Sequence, residues 1–202
     1  ANRESNSICL MDRDTGKTRA MTTRAQTLSG LPAWDDQLLL IPIHTDARAE
    51  TQPAADIAGE ILRLRTDGHL VSRHSLPFAA ARVRAHPRRP ALLISSPKRA
   101  GIWLIDNAGG APEQIPIEWP ALYWGLWEVS TEGLLLARRV PGGAEIVRHD
   151  WSWSRPPERH QWPGIQLHDG GRLMWQPGEN RLWLIHVERP YTQLRRASWP
   201  RP

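Results

Sequence analysis

The chain of 202 residues contains one cysteine, two lysines and no apolar run near the 18 residues that a membrane-spanning helix requires. Cys9 alone cannot form an internal disulfide, so no disulfide framework holds this chain, and the redox compartment stays open. Between Ile8 and Leu10 it reads as a small apolar strand residue. The opening residues Ala1-Asn2-Arg3-Glu4-Ser5-Asn6 are polar and lack the apolar core of a signal peptide. Motifs of chemistry are missing as well: there is no G-x-S-x-G, H-E-x-x-H, P-loop or paired-cysteine motif. These absences exclude the common sequence signatures of hydrolases, zinc proteases and nucleotide hydrolases. We therefore expect no enzyme, no catalytic residue, no cofactor and no metal. No helical pattern stands out either, whereas 18 prolines and 15 glycines punctuate the chain for turns.

With Lys17 and Lys98 the only lysines, the other 24 basic residues are arginines, and the formal net charge is +5. The charged fraction of 23% and the hydrophobic fraction of 40% are those of a globular domain rather than a disordered tail. The densest basic run is Arg82-Val83-Arg84-Ala85-His86-Pro87-Arg88-Arg89. Alternation of Arg with Val and Ala predicts a strand with one solvated face, with a phosphate-binding patch as the alternative.

What the chain does have is a repeat. Five segments share an alternating apolar pattern followed by a polar turn. They are Ser7–Asp12, Glu60–Arg65, Gly101–Asp106, Glu145–Asp150 and Arg181–His186. Their first Ile or Leu falls at 8, 61, 102, 146 and 182, giving spacings of 53, 41, 44 and 36. A second series, a turn followed by an apolar run, has Leu39, Leu93, Leu135 and Leu173 as markers, with spacings of 54, 42 and 38. The two series drift together, as two elements of one structural unit must. Units of this length built from short strands are the signature of propeller blades. The fold class expected is therefore all-β, a β-propeller of four four-stranded blades plus a half-blade. The half-blade covers 7–24 and the blades about 31–76, 79–117, 121–161 and 164–199. Thr45–Ala58 reads as a polar insertion that lengthens the first interval.

The half-blade, Ser7–Asp12 with Lys17–Thr23, lacks an inner strand pair, so the chain reads as the C-terminal part of a larger propeller. An apolar strand with an unpaired edge seeks a partner, and self-association through this incomplete blade is expected.

The turn-strand segments Pro32-Ala33-Trp34-Asp35-Asp36, Asp169-Gly170-Gly171-Arg172-Leu173 and Gly101-Ile102-Trp103-Leu104-Ile105-Asp106 resemble the TolB-like propeller repeat. The stretch from Trp124 to Leu135, followed by Pro141-Gly142-Gly143-Ala144-Glu145-Ile146, resembles the late blades of CadC-like bacterial transcriptional regulators. The likeness covers most of residues 60–190. In that family a winged-helix DNA-binding domain is joined through one transmembrane helix to a periplasmic sensor domain. The resemblance implies an extracytoplasmic sensor or interaction domain, signalling the binding of a protein or small-ligand partner. DNA and membrane would be reached only through parts absent from this chain. Arg88-Arg89-Pro90 stands where the repeat has Asp-Gly, and no family ligand site carries over. Three other readings remain: a stand-alone protein-binding scaffold, which would be cytoplasmic; the propeller domain of a serine peptidase; and a basic propeller that binds nucleic acid.

Candidate contact residues come from the tryptophans. Ten of eleven lie at or after Trp103. Trp103 and Trp183 occupy equivalent strand positions and read as blade packing. Trp151 and Trp153 fall in a turn between outer strands, and Trp119, Trp124 and Trp127 flank the entry to an inner strand. These five are the candidates for ligand or partner contact, with core packing as the competing role. The eight histidines are dispersed. His149, His168 and His186 would form a metal site only if the fold gathered them.

Overall fold

A computed structural model of the chain describes residues 8–21, 28–45, 57–168, 171–176, 181–187 and 192–198. The described residues are all-β. They form seventeen strands and one 3-10 turn at Ala121–Tyr123, and every paired strand is antiparallel to its neighbour. No helix among them is long and apolar enough to cross a membrane. Several expectations fall wholly or partly outside these residues: Ser7, 22–24, 46–56 of the polar insertion, the Asp169-Gly170 turn, Tyr191 and Trp199. The chain divides into two compact units, one of Ala1–Ala85 with Pro90–Glu118 and one of His86–Arg89 with Trp119–Pro202.

The first unit holds three sheets. A two-stranded hairpin joins β1 (Cys9–Met11) to β2 (Thr18–Ala20). A four-stranded sheet follows in the order β3 (Ala33–Asp35), β4 (Leu38–His44), β5 (Gly59–Arg65) and β6 (Leu70–Leu76). A second sheet runs β7 (Arg82–Ala85), β8 (Ala91–Ser95), β9 (Trp103–Asp106) and β10 (Glu113–Gln114). Sequential strands are spatial neighbours throughout, which short turns make possible. The β3–β4 hairpin turns on Asp36 and Gln37, and Asp36 takes a φ of 53°. Aspartate tolerates that left-handed geometry better than most residues, which fits the turn.

Period-two alternation explains how the first unit packs. Leu39, Ile41 and Ile43 of β4, with Leu62 and Leu64 of β5, point to one face, where they bury Met21 and pack against the half-buried Ile8 and Leu10 of the hairpin region. Leu40 and Ile61 point to the other face and join Val83, Leu92, Ile94, Trp103 and Ile105 of the second sheet. A strand apolar on both faces must lie between two neighbours, and β4 does. Each fully buried aliphatic side chain contributes about 1.5–3 kcal/mol by leaving water. Trp103 packs its ring 4.8 Å from that of Phe78, and the Arg99 guanidinium lies 5.1 Å and 5.5 Å from the two rings. At the base of the polar insertion, the Thr45 N–H and hydroxyl donate to the Ala58 carbonyl at 3.2 and 2.9 Å.

One expectation is corrected here. Arg82 is buried, not part of a solvated strand face. The strand does not begin at a free edge: Val83 packs into the core, and at Arg82 the outer edge of β7 is occupied by a backbone bridge to Leu31. Of the arginines in the basic run, Arg84 is half-buried and Arg88 and Arg89 are exposed.

The second unit holds a four-stranded sheet, β11 (Trp127–Val129), β12 (Gly133–Val140), β13 (Gly143–Asp150) and β14 (Glu158–Pro163). Beside it in the chain is a three-stranded sheet, β15 (Arg172–Gln176), β16 (Arg181–Val187) and β17 (Thr192–Ser198). Pro141-Gly142 turns β12 into β13, with Gly142 at a φ of 83°. Across the sheet, the buried Glu145 carboxylate receives Arg138 at 2.5 Å and Arg159 at 3.1 Å, tying β12 and β14 to the central β13. Trp183 of β16 donates its indole N–H to Gln176 of β15 at 3.0 Å.

Candidate functional site

The five candidate tryptophans fall into two groups. Trp127 is fully buried on β11, and Trp119 is buried with its indole N–H donated to the Tyr123 carbonyl at 2.9 Å. Trp124 is half-buried, with the Arg172 guanidinium 5.5 Å from its ring centre. These three pack inside the second unit. Trp151 and Trp153 instead sit half-exposed on the turn that leaves β13, and the structure does not bring them together with the other three into one site.

That turn is fixed from several sides. Asp150, the last residue of β13, accepts the Ser152 hydroxyl at 3.0 Å and the Ser154 hydroxyl at 3.5 Å. The two serine hydroxyls are 2.6 Å apart. The Trp153 N–H reaches the Asp150 carbonyl at 3.3 Å, and Trp153 itself has a φ of 56°. A positive φ on a bulky aromatic residue is strained, and such strain concentrates at functional positions. The Trp151 indole N–H donates to the Ser130 carbonyl at 3.0 Å. Each tryptophan ring also meets a histidine, His86 against Trp151 at 4.2 Å and His149 against Trp153 at 5.2 Å.

A cleft of about 450 Å³ opens beside this turn. Its walls come from three stretches of the second unit: Arg88, the β11–β12 turn with Glu132, and β13 with the turn beyond it. Strand register places Arg148 opposite Glu158. The Arg148 guanidinium is held between Glu158, at 2.6 Å, and Glu132. Two carboxylates therefore occupy one cation. Arg88 is oriented by its Nε donating to the Thr131 carbonyl at 2.7 Å, and among the described residues its terminal nitrogens have no partner. Arg155 makes no hydrogen bond or ion pair among the described residues. The Asp150 Oδ1 is buried without a hydrogen-bond partner there. Buried acceptors are nearly always satisfied, so this one marks a place where a donor fits.

The histidines beside the cleft are held neutral. Burial pushes His86 down from 6.5 to about 4, with the Arg89 and Arg88 charges adding to it. Its Nδ1 accepts the Arg88 backbone N–H at 3.1 Å, which requires that nitrogen to be unprotonated. Burial, with Arg159 next, likewise lowers His149. A histidine whose pKa is depressed by folding takes up its proton first in the unfolded chain. Its contribution to stability is intact above about 6.5 and is lost as pH falls toward 4. Acidification across that window is expected to cost about 1–3 kcal/mol once solvent screening is allowed for. The H86Q variant should flatten this dependence in denaturant titrations at stepped pH. An unchanged slope in H86Q would show that His86 titrates normally in the fold.

Among the described residues no group of three or more His, Cys, Asp or Glu side chains could hold a metal ion. The sequence singled out Trp151 and Trp153 but not the charged residues beside them. Arg88 lay in a run read as a strand face, and nothing in its local pattern pairs it with Thr131. The one local signal was the polar, strained composition of Trp151-Ser152-Trp153-Ser154-Arg155-Pro156-Pro157 itself. No protein-family profile matches this chain, and no curated protein matches its sequence.

Proposed function

We propose that this chain is a non-catalytic binding module of propeller type, the ligand-receiving part of a sensor or interaction protein. The observation that carries the reading is the cleft at the Trp151–Trp153 turn. There a strained aromatic segment is held rigidly next to guanidinium groups with unused donors. Pre-ordered aromatic and polar groups lining a concavity are how proteins bind small ligands without paying to order the site. The stacked antiparallel sheets of the first unit support the blade interpretation, because adjacent blades pack face to face in that manner. On the resemblance to CadC-like regulators, the module would work at the periplasmic face of a bacterial inner membrane, as part of a larger protein. Occupancy of the cleft would be the signal it passes on.

The test is a thermal-shift and tryptophan-fluorescence screen against amino acids, short peptides, sugars and phosphorylated metabolites. A true ligand at a hundredfold excess over its Kd should add about 2.7 kcal/mol of stability. Its effect should vanish in R155E, a change at an exposed side chain that the fold does not use. If no compound of any class alters stability or emission, the binding-module reading fails.

A further inference from the structure

Resting on that reading, we infer that the cleft at the Trp151–Trp153 turn takes a small zwitterion: a free amino acid or a di- or tripeptide with unblocked ends. The argument begins with charge. The lining carries three arginines, Arg88, Arg148 and Arg155, and three carboxylates, Glu132, Asp150 and Glu158, so its formal charge is zero. A site for phosphate or a nucleic-acid backbone would have an excess of cations, since carboxylates repel an anionic ligand. This cleft has none, despite the chain's overall charge of +5.

Neutrality here does not mean that the charges cancel one another locally. Arg148 is consumed by Glu132 and Glu158. Beside that cluster the lining offers groups of both signs. Arg88 and Arg155 present guanidinium donors, Glu132 and Glu158 are exposed and each has a second carboxylate oxygen, and Asp150 carries a buried, unpartnered acceptor behind them. A guanidinium fork recognises a carboxylate through paired, charge-assisted hydrogen bonds. A carboxylate without a partner receives an ammonium group in the same way. One ligand with both groups satisfies both kinds of lining group, and a ligand with only one leaves the other kind unpaired.

The third element is apolar. The Trp151 ring, pinned by Ser130 and backed by His86, gives the cleft an aromatic wall. Because His86 is neutral at physiological pH, its side of that wall adds no charge. The volume of about 450 Å³ is in the range that receives small organic ligands and leaves room for a side chain against the indole.

The experiment titrates the whole chain with L-alanine, L-arginine, Ala-Ala, Ala-Ala-Ala and acetyl-Ala-Ala-amide, and separately with inorganic phosphate, by calorimetry. At least one free-ended compound should bind, and its blocked counterpart should bind at least tenfold more weakly. R155E and D150N should each weaken binding at least tenfold. The R155E protein should keep the melting temperature of the parent, which separates loss of the site from loss of the fold. Comparison of the amino acids with the peptides tells which source supplies the zwitterion. Preference for phosphate, or equal binding of free and blocked peptides, overturns the inference while leaving a binding module in place. Silence from these compounds and from the broader screen removes both.

Discussion

Replacing Trp127 with alanine is expected to remove about 3–5 kcal/mol of stability, measured as a shift of the denaturant midpoint at unchanged slope. Trp127 is the largest fully buried side chain among the described residues and opens the first strand of the four-stranded sheet in the second unit. It stands opposite Leu136, and the neighbouring Leu126 is fully buried too. A cavity of indole size beneath a strand of only three residues cannot be closed by a small relaxation. The milder W127F change should lose less. Ligand binding at the Trp151 turn should survive in whatever fraction remains folded, because Trp127 does not line that cleft. A loss below about 1 kcal/mol would mean that this position is not core, against a burial that leaves little alternative.

The second large effect comes from adding a single methyl group. A Cβ at Gly133 would collide with the His149 carbonyl oxygen and lie 2.9 Å from its carbon, and these are backbone atoms that cannot swing away. Gly133 is the residue of β12 opposite Asp150, and its N–H and carbonyl both bond to Ser130. G133A must therefore pry the β12–β13 ladder apart where the cleft begins. We expect a loss of about 2–3 kcal/mol and weakened binding together. G142A serves as the comparison: a Cβ there meets nothing within 4 Å and suffers only from the φ of 83°. Its cost should be about 1–2 kcal/mol, with the cleft intact. If G133A were no worse than G142A, the tight approach of these strands would be wrong.

The strands were legible in the sequence because burial on alternating positions leaves a local trace. Leu38–Ile41 reads as an apolar run suited to an inner strand, and it lies in β4, which is covered on both faces. Gly101–Asp106 and Leu92–Ile94 likewise carry their own pattern. The all-β, antiparallel character with four-stranded sheets followed from that periodicity. The last expected unit has three strands among the described residues. Arg82 shows where a local pattern misleads: Arg alternating with Val looks solvated, yet Arg82 is buried and its strand edge is paired with Leu31. The cleft was illegible for a related reason. Arg88, Glu132 and Arg148 are separated by 44 and 16 positions, and no periodicity relates them. Only the Trp151–Arg155 turn announced itself, through aromatic rings in a place where a strand pattern had ended. Trp119 and Trp127 looked equally unusual in the sequence. Both are packing residues, because a tryptophan beside an inner strand has no signature that separates a core from a mouth.

The hairpin of β1 and β2 has a practical consequence. Its inward residues Ile8 and Leu10 lie on the first sheet, and Cys9 between them faces outward and is exposed. Since this is the chain's only thiol, a maleimide fluorophore or nitroxide can be attached at one defined point without removing any other residue. The probe would ride on an element held by few contacts, so its mobility should report the hairpin lifting from its sheet before the rest gives way. Nine of the eleven tryptophans belong to the second unit, and their emission follows that unit instead. Two colours recorded in one unfolding experiment would thus tell whether the halves of this protein melt as a single cooperative body or in turn.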